Sequence, residues 1–222
     1  MFLGTLFVVV ALIGATYLQE WGPLRHSPRT RVAVFGDSLT AQSSWRISRS
    51  LVDAGYDPAV SGLNGAAIAD FDPHVRSYTG YQGAEVMVIA LGTNNAFYAS
   101  PQAPRKIDLA SSIDELRKVA GDAIEPVPGT AFPLSVRCLV WVNLNDRATA
   151  LELDQNAPTI NQAIRDEAEM RNRAGRQMLI ADWNSRSQGH PEWFVSDGVH
   201  LNEDGQDAFS GLIRETVQRC RL

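Results

Sequence analysis

Five short apolar runs, each followed by a longer amphipathic segment, leave this chain very few architectures. The runs are RVAVF (31–35), DPAVS (57–61), EVMVIAL (85–91), VRCLVWV (136–142) and QMLIA (177–181). Strands this continuously apolar suit a parallel sheet covered on both faces, because a strand with one wet face would alternate. The segments near 42–54, 67–76, 107–123, 154–174 and 203–219 read as helices, and those between strands supply the right-handed crossovers that parallel strands need. In the last of them Ala208, Phe209, Leu212, Ile213 and Thr216 recur at helical spacing, and Asn202 stands where a cap is wanted. The expected fold is α/β: a flavodoxin-like, doubly wound five-stranded parallel sheet in the order 2-1-3-4-5 with helices on both faces. A chain of 222 residues, 45% of them hydrophobic, can bury one sizeable core, so residues 31–222 are expected to form a single domain.

A sheet of that order binds its ligands outside the carboxyl ends of the strands, between the first and third, where the order reverses. The unusual residues fall there: Gly36-Asp37-Ser38 follows the first strand and Gly92-Thr93-Asn94-Asn95 follows the third. Ser38 would sit at the start of a helix, its hydroxyl exposed beside unpaired N–H groups at the positive end of the helix dipole. Gly-Asp-Ser is also ordinary turn and cap chemistry, so the tripeptide alone does not decide. A nucleophilic serine needs a base, and the base needs a partner that fixes its tautomer. SDGVHL (196–201) places Asp197 and His200 three apart, beyond the fifth strand and at the same end of the sheet as Ser38. Donors for an oxyanion would come from the Asn94 side chain and the backbone N–H groups of Ser38 and Gly65, with Gly62 the alternative to Gly65.

Two other classes compete with nucleophilic chemistry. A binding module would use Ser38, Thr40 and the helix N-terminus to hold a phosphate or a polysaccharide, but it leaves Asp197 and His200 without a role. A metal-assisted hydrolase would use Asp37, Asp197, His190 and His200, yet the chain has only four histidines and none paired at metal spacing. Neither a metal nor a cofactor is expected.

Taken together, Gly36-Asp37-Ser38-Leu39, a downstream glycine block, Gly92-Thr93-Asn94-Asn95 and Asp197-Gly198-Val199-His200 resemble, in this order, the SGNH (GDSL) hydrolase family over about residues 31–220. The resemblance implies Ser38 as nucleophile, His200 as base, Asp197 as its orienting acid, and Ser38, Gly65 and Asn94 as the oxyanion hole. The second block lacks a clear Gly-x-Ser-Gly. The third reads Asn-Asn where Asn-Asp is frequent, which leaves Asn94 in place. The stretch ADWNSRSQGHPEWFVSDGVHLNEDG (181–205) is similar to extracytoplasmic SGNH domains that stand alone or are fused to membrane acyltransferases O-acetylating cell-wall polysaccharides. That similarity implies a small acyl ester on a carbohydrate, either hydrolysed or transferred. Trp193 and Phe194 then read either as a pocket wall or sugar-stacking face, or as packing of the loop onto the last helix; His190, next to Pro191, reads as a structural loop residue.

A net charge of -5 and the lack of any basic run exclude a nucleic-acid backbone as partner. Residues 2–18 carry no charged side chain and as a helix would reach about 25 Å, just short of a hydrocarbon core of about 30 Å. Segment 1–20 therefore reads as a secretory signal or a membrane anchor, and 21–30 as a linker. Arg25, Arg29 and Arg31 follow the segment and none precedes it, which weighs against export. The expectation is an exported or membrane-anchored, extracytoplasmic domain, with the cytoplasmic face of the membrane as the alternative. Cys138 would begin a strand and Cys220 end a helix running the opposite way, so the two fall at one end of the sheet, either bonded or as buried thiols.

Overall fold

Along the central strands, successive side chains enter two different apolar layers. Ala33, Phe35, Met87, Ile89, Leu139 and Trp141 join one cluster; Val32, Val34, Val86, Val88, Val140 and Val142 join the other. The computed structural model describes residues 29–77, 83–125, 136–148 and 152–222. In it β1 (Arg31–Gly36), β2 (Asp57–Gly62), β3 (Val86–Ala90), β4 (Cys138–Val142) and β5 (Gln177–Ala181) form one all-parallel sheet ordered β2-β1-β3-β4-β5. The expected doubly wound sheet is the one observed.

One face is covered by α2 (Asp72–Ser77), α3 (Thr93–Tyr98), α4 (Leu109–Ile124) and α5 (Leu153–Arg173). The other is covered by α1 (Ser38–Asp53), the single turn α6 (Trp183–Arg186) and α7 (Glu203–Val217). Phe35, Trp141, Trp183 and Phe209 are all buried, and a side chain of this size contributes about 1.5–3 kcal/mol when removed from water. Trp141 also satisfies its indole by donating to the Leu91 carbonyl at 3.2 Å, which ties β4 to the end of β3 just before Gly92.

Sequence and structure part at the helix starts. α1 begins at Ser38 rather than near residue 42, because the Asp37 side chain accepts from the Leu39 N–H and caps the helix there. Segment 67–76 is a 3₁₀ turn, Ile68–Phe71, followed by α2, and Asp70 ties its start by accepting from the Ala67 N–H at 2.8 Å. α3 and α6 are too short to show in apolar periodicity. Asn202 caps α7 as expected, accepting from Gly205 at 3.0 Å.

Cys138, at the start of β4, is bonded to Cys220, beyond α7, across 82 residues of sequence. Of the two states open to these cysteines, the structure shows the bonded one. The segment 1–20 and most of the linker 21–30 lie outside the described residues. Among the described residues no helix is long and apolar enough to cross a membrane.

A crosslink closing so long a loop removes much freedom from the unfolded chain. Reduction, or the pair of substitutions Cys138→Ser and Cys220→Ser, is expected to lower unfolding free energy by about 2–4 kcal/mol in denaturant titrations.

Candidate active site

The turn from β1 into α1 is built without room to spare. A Cβ on Gly36 would stand 1.9 Å from the Thr40 hydroxyl oxygen and 2.9 Å from the Ala90 carbonyl, so only glycine lets the strand end there. Asp37 is 1% exposed; its N–H donates to the Ala90 carbonyl at 3.3 Å and its Oδ1 accepts from Leu39 N–H at 3.0 Å. Ser38 is thereby fixed as the first residue of α1, where its N–H has no intrahelical acceptor.

The base comes from a chain segment that folds back on itself before α7. Phe194 and Leu201 form an antiparallel bridge, Val195 N–H donates to the His200 carbonyl at 2.9 Å, and Asn202 N–H donates to the Trp193 carbonyl at 3.0 Å. At its tip Gly198 takes φ 69°, a left-handed conformation that favours glycine. This hairpin brings His200 Nε2 to 3.0 Å from Ser38 Oγ, and His200 Nδ1 to 2.7 Å from Asp197 Oδ2. Asp197 Oδ1 accepts from the N–H groups of Val199 and His200, both at 2.9 Å. Partial burial of Asp197 opposes its ionisation, but the His200 ring and these two N–H groups outweigh it and hold the carboxyl below its ordinary range. A carboxylate facing Nδ1 keeps the ring proton there and leaves Nε2 to accept from the serine hydroxyl.

Across the seam between β1 and β3, α3 presents two side chains four apart to the loop after β2. Asn94 Nδ2 donates to the Ala66 carbonyl at 3.0 Å, and the Tyr98 hydroxyl donates to the Gly65 carbonyl at 2.8 Å. Gly65 has φ 74°, and its N–H makes no hydrogen bond among the described residues. Gly62 serves packing instead. It pairs with Gly36 at the end of β2, and a Cβ there would stand 2.2 Å from the Ala41 nitrogen. Asn95 is buried and structural, accepting from Ile68 N–H at 2.9 Å and donating to Ser112 Oγ at 3.1 Å. Sequence reasoning passed over Tyr98, although its spacing of four from Asn94 on one helix was a usable signal.

Among the described residues no group of three or more His, Cys, Asp or Glu side chains is placed to hold a metal ion. His190 instead bonds Glu192 at 2.8 Å and stacks on Trp193 at 3.8 Å. Trp193 and Phe194 both lean on buried Trp183, so they pack the hairpin onto the core beside α7.

A base held by a carboxylate and placed against a hydroxyl in this way is able to activate a serine for nucleophilic attack. Comparison with known proteins gives the family: residues 34–208 match the GDSL-like lipase/acylhydrolase family, and the chain belongs to it. It is 27% identical over 187 residues to the O-acetyltransferase OatA of Staphylococcus aureus, an alignment covering 83% of this chain and 24% of that protein. The chain thus spans about a quarter of the length of the curated relatives it matches. Among solved structures, the acetyl xylan esterase AlAXEase superposes with a TM-score of 0.66 at 16% identity, covering 84% of this chain and 99% of its own. A variant of the Geobacillus stearothermophilus acetyl xylan esterase Axe2 gives 0.65 at 13%, covering 88% and 97%. At such identities these two structures show the shared fold.

Asp37 carries a measurable cost. Burial pushes its carboxyl up from 3.8 to about 6, only partly offset by the Leu39 N–H and the nearby Thr93 side chain, while Oδ2 makes no hydrogen bond of good geometry. Below about pH 3 the group is protonated folded or unfolded and costs nothing; as pH rises to about 6 the unfolded chain ionises first, so stability falls. Above that the loss levels off at about 3 kcal/mol. Asp37→Asn keeps a capping oxygen without the charge. It is expected to be the more stable protein in urea titrations at pH 7.5, with the advantage vanishing near pH 3.

Proposed function

We propose that the chain is a serine esterase that removes a small acyl group, acetyl above all, from a carbohydrate ester through an acyl-enzyme. The observation that carries this reading is the continuous hydrogen-bonded line Ser38–His200–Asp197, at 3.0 and 2.7 Å. In the proposed reaction His200 Nε2 takes the Ser38 proton as Oγ bonds to the acyl carbon, and the carbonyl electrons move onto oxygen. The N–H groups of Ser38 and Gly65 and the Asn94 amide receive that oxyanion. Its collapse breaks the bond to the alcohol, which leaves with the proton from His200. Water then repeats the sequence on the acyl-serine and frees the acid.

A small acyl group is supported by a cavity of about 20 Å³ lined by Leu39, Ala90, Thr93, Val142 and Val199 among others. Three of these are chain neighbours of Ser38, Asn94 and His200, and the space is that of one methyl group or one water. A carbohydrate alcohol is supported by relatives: two of the similar structures are acetyl xylan esterases, and a similar sequence is an O-acetyltransferase. That last match favours a second reading, in which a sugar hydroxyl replaces water and the same residues perform transfer. The Cys138–Cys220 bond supports an oxidising, extracytoplasmic compartment, with segment 1–20 as export signal or anchor.

Turnover of p-nitrophenyl acetate tests the reading. Ser38→Ala is expected to lose roughly 10⁴-fold or more in kcat with an unchanged circular dichroism spectrum, and Asn94→Ala roughly 10²- to 10³-fold. Ser38→Ala retaining more than about one hundredth of wild-type activity would remove Ser38 as nucleophile. With longer p-nitrophenyl esters, kcat/KM should fall steadily from acetate to octanoate; a flat or rising series would exclude the small cavity as acyl site.

A further inference from the structure

A row of stacked rings runs from the core of the molecule to its surface on one side of the candidate site. Phe209 meets Trp183 edge-on at 5.2 Å, Trp183 stacks with Trp193 at 6.0 Å, and Trp193 stacks with His190 at 3.8 Å and an interplanar angle of 4°. Trp183 is 1% exposed, whereas the His190 side chain is 43% exposed. The row ends in an open groove of about 580 Å³ lined by Asn145, Arg147, Ser187, His190, Ser196 and Asp197 among others. Its size lies within the range of about 300–1,000 Å³ found for small-molecule sites.

Three features connect the groove to a ligand. Its lining includes Asp197, whose carboxylate bonds His200, and Asn145 and Ala148 line both the groove and the small cavity beside Leu39, Thr93 and Val199. The wall is also rigid, since the Arg147 guanidinium is held by Asn184 Oδ1 at 2.7 Å, the Asn184 carbonyl and Ser187 Oγ at 3.2 Å. Finally, the charged groups already have hydrogen-bond partners: the Arg147 guanidinium lies against Asp146, the Glu192 carboxylate against the His190 ring, and the Asp197 carboxylate against the His200 ring. What remains uncommitted among the described residues is neutral, namely Asn145 Nδ2, Ser196 Oγ and the second nitrogen of His190.

We infer that this groove is the subsite for the glycan, taking neutral, hydroxyl-rich sugar rings against the exposed face of His190 with Asn145 donating to a ring hydroxyl. The inference rests on the esterase or transferase reading above and adds where the carbohydrate lies and of what charge it is. An anionic glycan would have to enter between the carboxylates of Asp146, Glu192 and Asp197, which lie on or beside the groove, with no unpaired cation among the described groove residues to receive it.

Two measurements on the purified chain separate this inference from the reading it rests on. In the first, xylotetraose and chitotetraose are titrated calorimetrically at millimolar concentration, with tetragalacturonate as the anionic comparison. Binding of a neutral tetramer, weakened at least about tenfold in His190→Ala and in Asn145→Ala and kept in Trp45→Ala, an exposed residue of α1 that does not line the groove, is the expected result. This needs no turnover, so it decides the matter even for an inactive protein; absence of neutral-tetramer binding, binding unaffected by both groove variants, or preference for tetragalacturonate overturns the inference. In the second, kcat/KM for chemically acetylated xylotetraose is divided by that for p-nitrophenyl acetate. The ratio should fall at least about tenfold in the two groove variants, whereas an equal loss on both substrates would place these residues in the general fabric of the site instead and overturn the inference.

Discussion

The whole site hangs on a turn that leaves no space for a side chain. At the end of β1 the backbone passes so close to Thr40 and to the Ala90 carbonyl that Gly36 must be glycine, and Gly62 on the neighbouring strand is pressed just as closely against Ala41. These two contacts set α1 against the ends of both β1 and β2. They put Ser38 at the first helical position over the seam where the strand order reverses, with the loops after β2 and β3 on either side. The helix is held from its other neighbour too: Arg46 reaches from α1 to Asp207 at 2.6 Å, Gln206 at 3.2 Å and Glu203 at 3.4 Å on α7. Since α7 starts just after His200, that contact fixes the element bearing the serine relative to the element that follows the imidazole.

Two carboxylates, Asp197 three residues before His200 and Asp37 next to Ser38, are treated by the fold in opposite ways. Asp197 is partly solvated, accepts three hydrogen bonds from its own turn and stays charged, which suits a group that orients an imidazole. Asp37 is sealed from water with one oxygen making no hydrogen bond of good geometry, and its charge destabilises the folded state. That destabilisation sits at the helix cap, where Ser38 gains its place. Strain and unpaired polar groups of this kind gather at sites where position matters more than stability.

Much of this was legible in the residues. Apolar runs marked the five strands, most plainly β3 and β4, which are buried throughout, and less so the partly buried edge strands β2 and β5; the blocks around Ser38, Asn94, Asp197 and His200 pointed to the candidate site by order and spacing. What was not legible followed from short-range and cross-chain detail. α3 and α6 are four to six residues long, below the length at which periodicity speaks, and the start of α1 was decided by one hydrogen bond that the Asp37 side chain accepts from the Leu39 N–H. The roles of Gly62 and Gly65 could be separated only once their neighbours were known: one is squeezed by a helix, the other turned by a positive φ and clasped by Tyr98. Trp193 was open between packing and display, and the structure packs it, passing the exposed position on to His190.

The proposed chemistry rests on an oxygen and a nitrogen, 162 residues apart in sequence, lying within a hydrogen bond of each other. The most direct test is to trap what that contact should produce: brief exposure to p-nitrophenyl acetate, acid quench, and mass spectrometry of the intact protein and its peptides. A single acetyl group on Ser38, chased off by hydroxylamine, is the result expected. Steady release of acetate with no acylated protein, or an acetyl group found on another residue while Ser38 stays free, would contradict it.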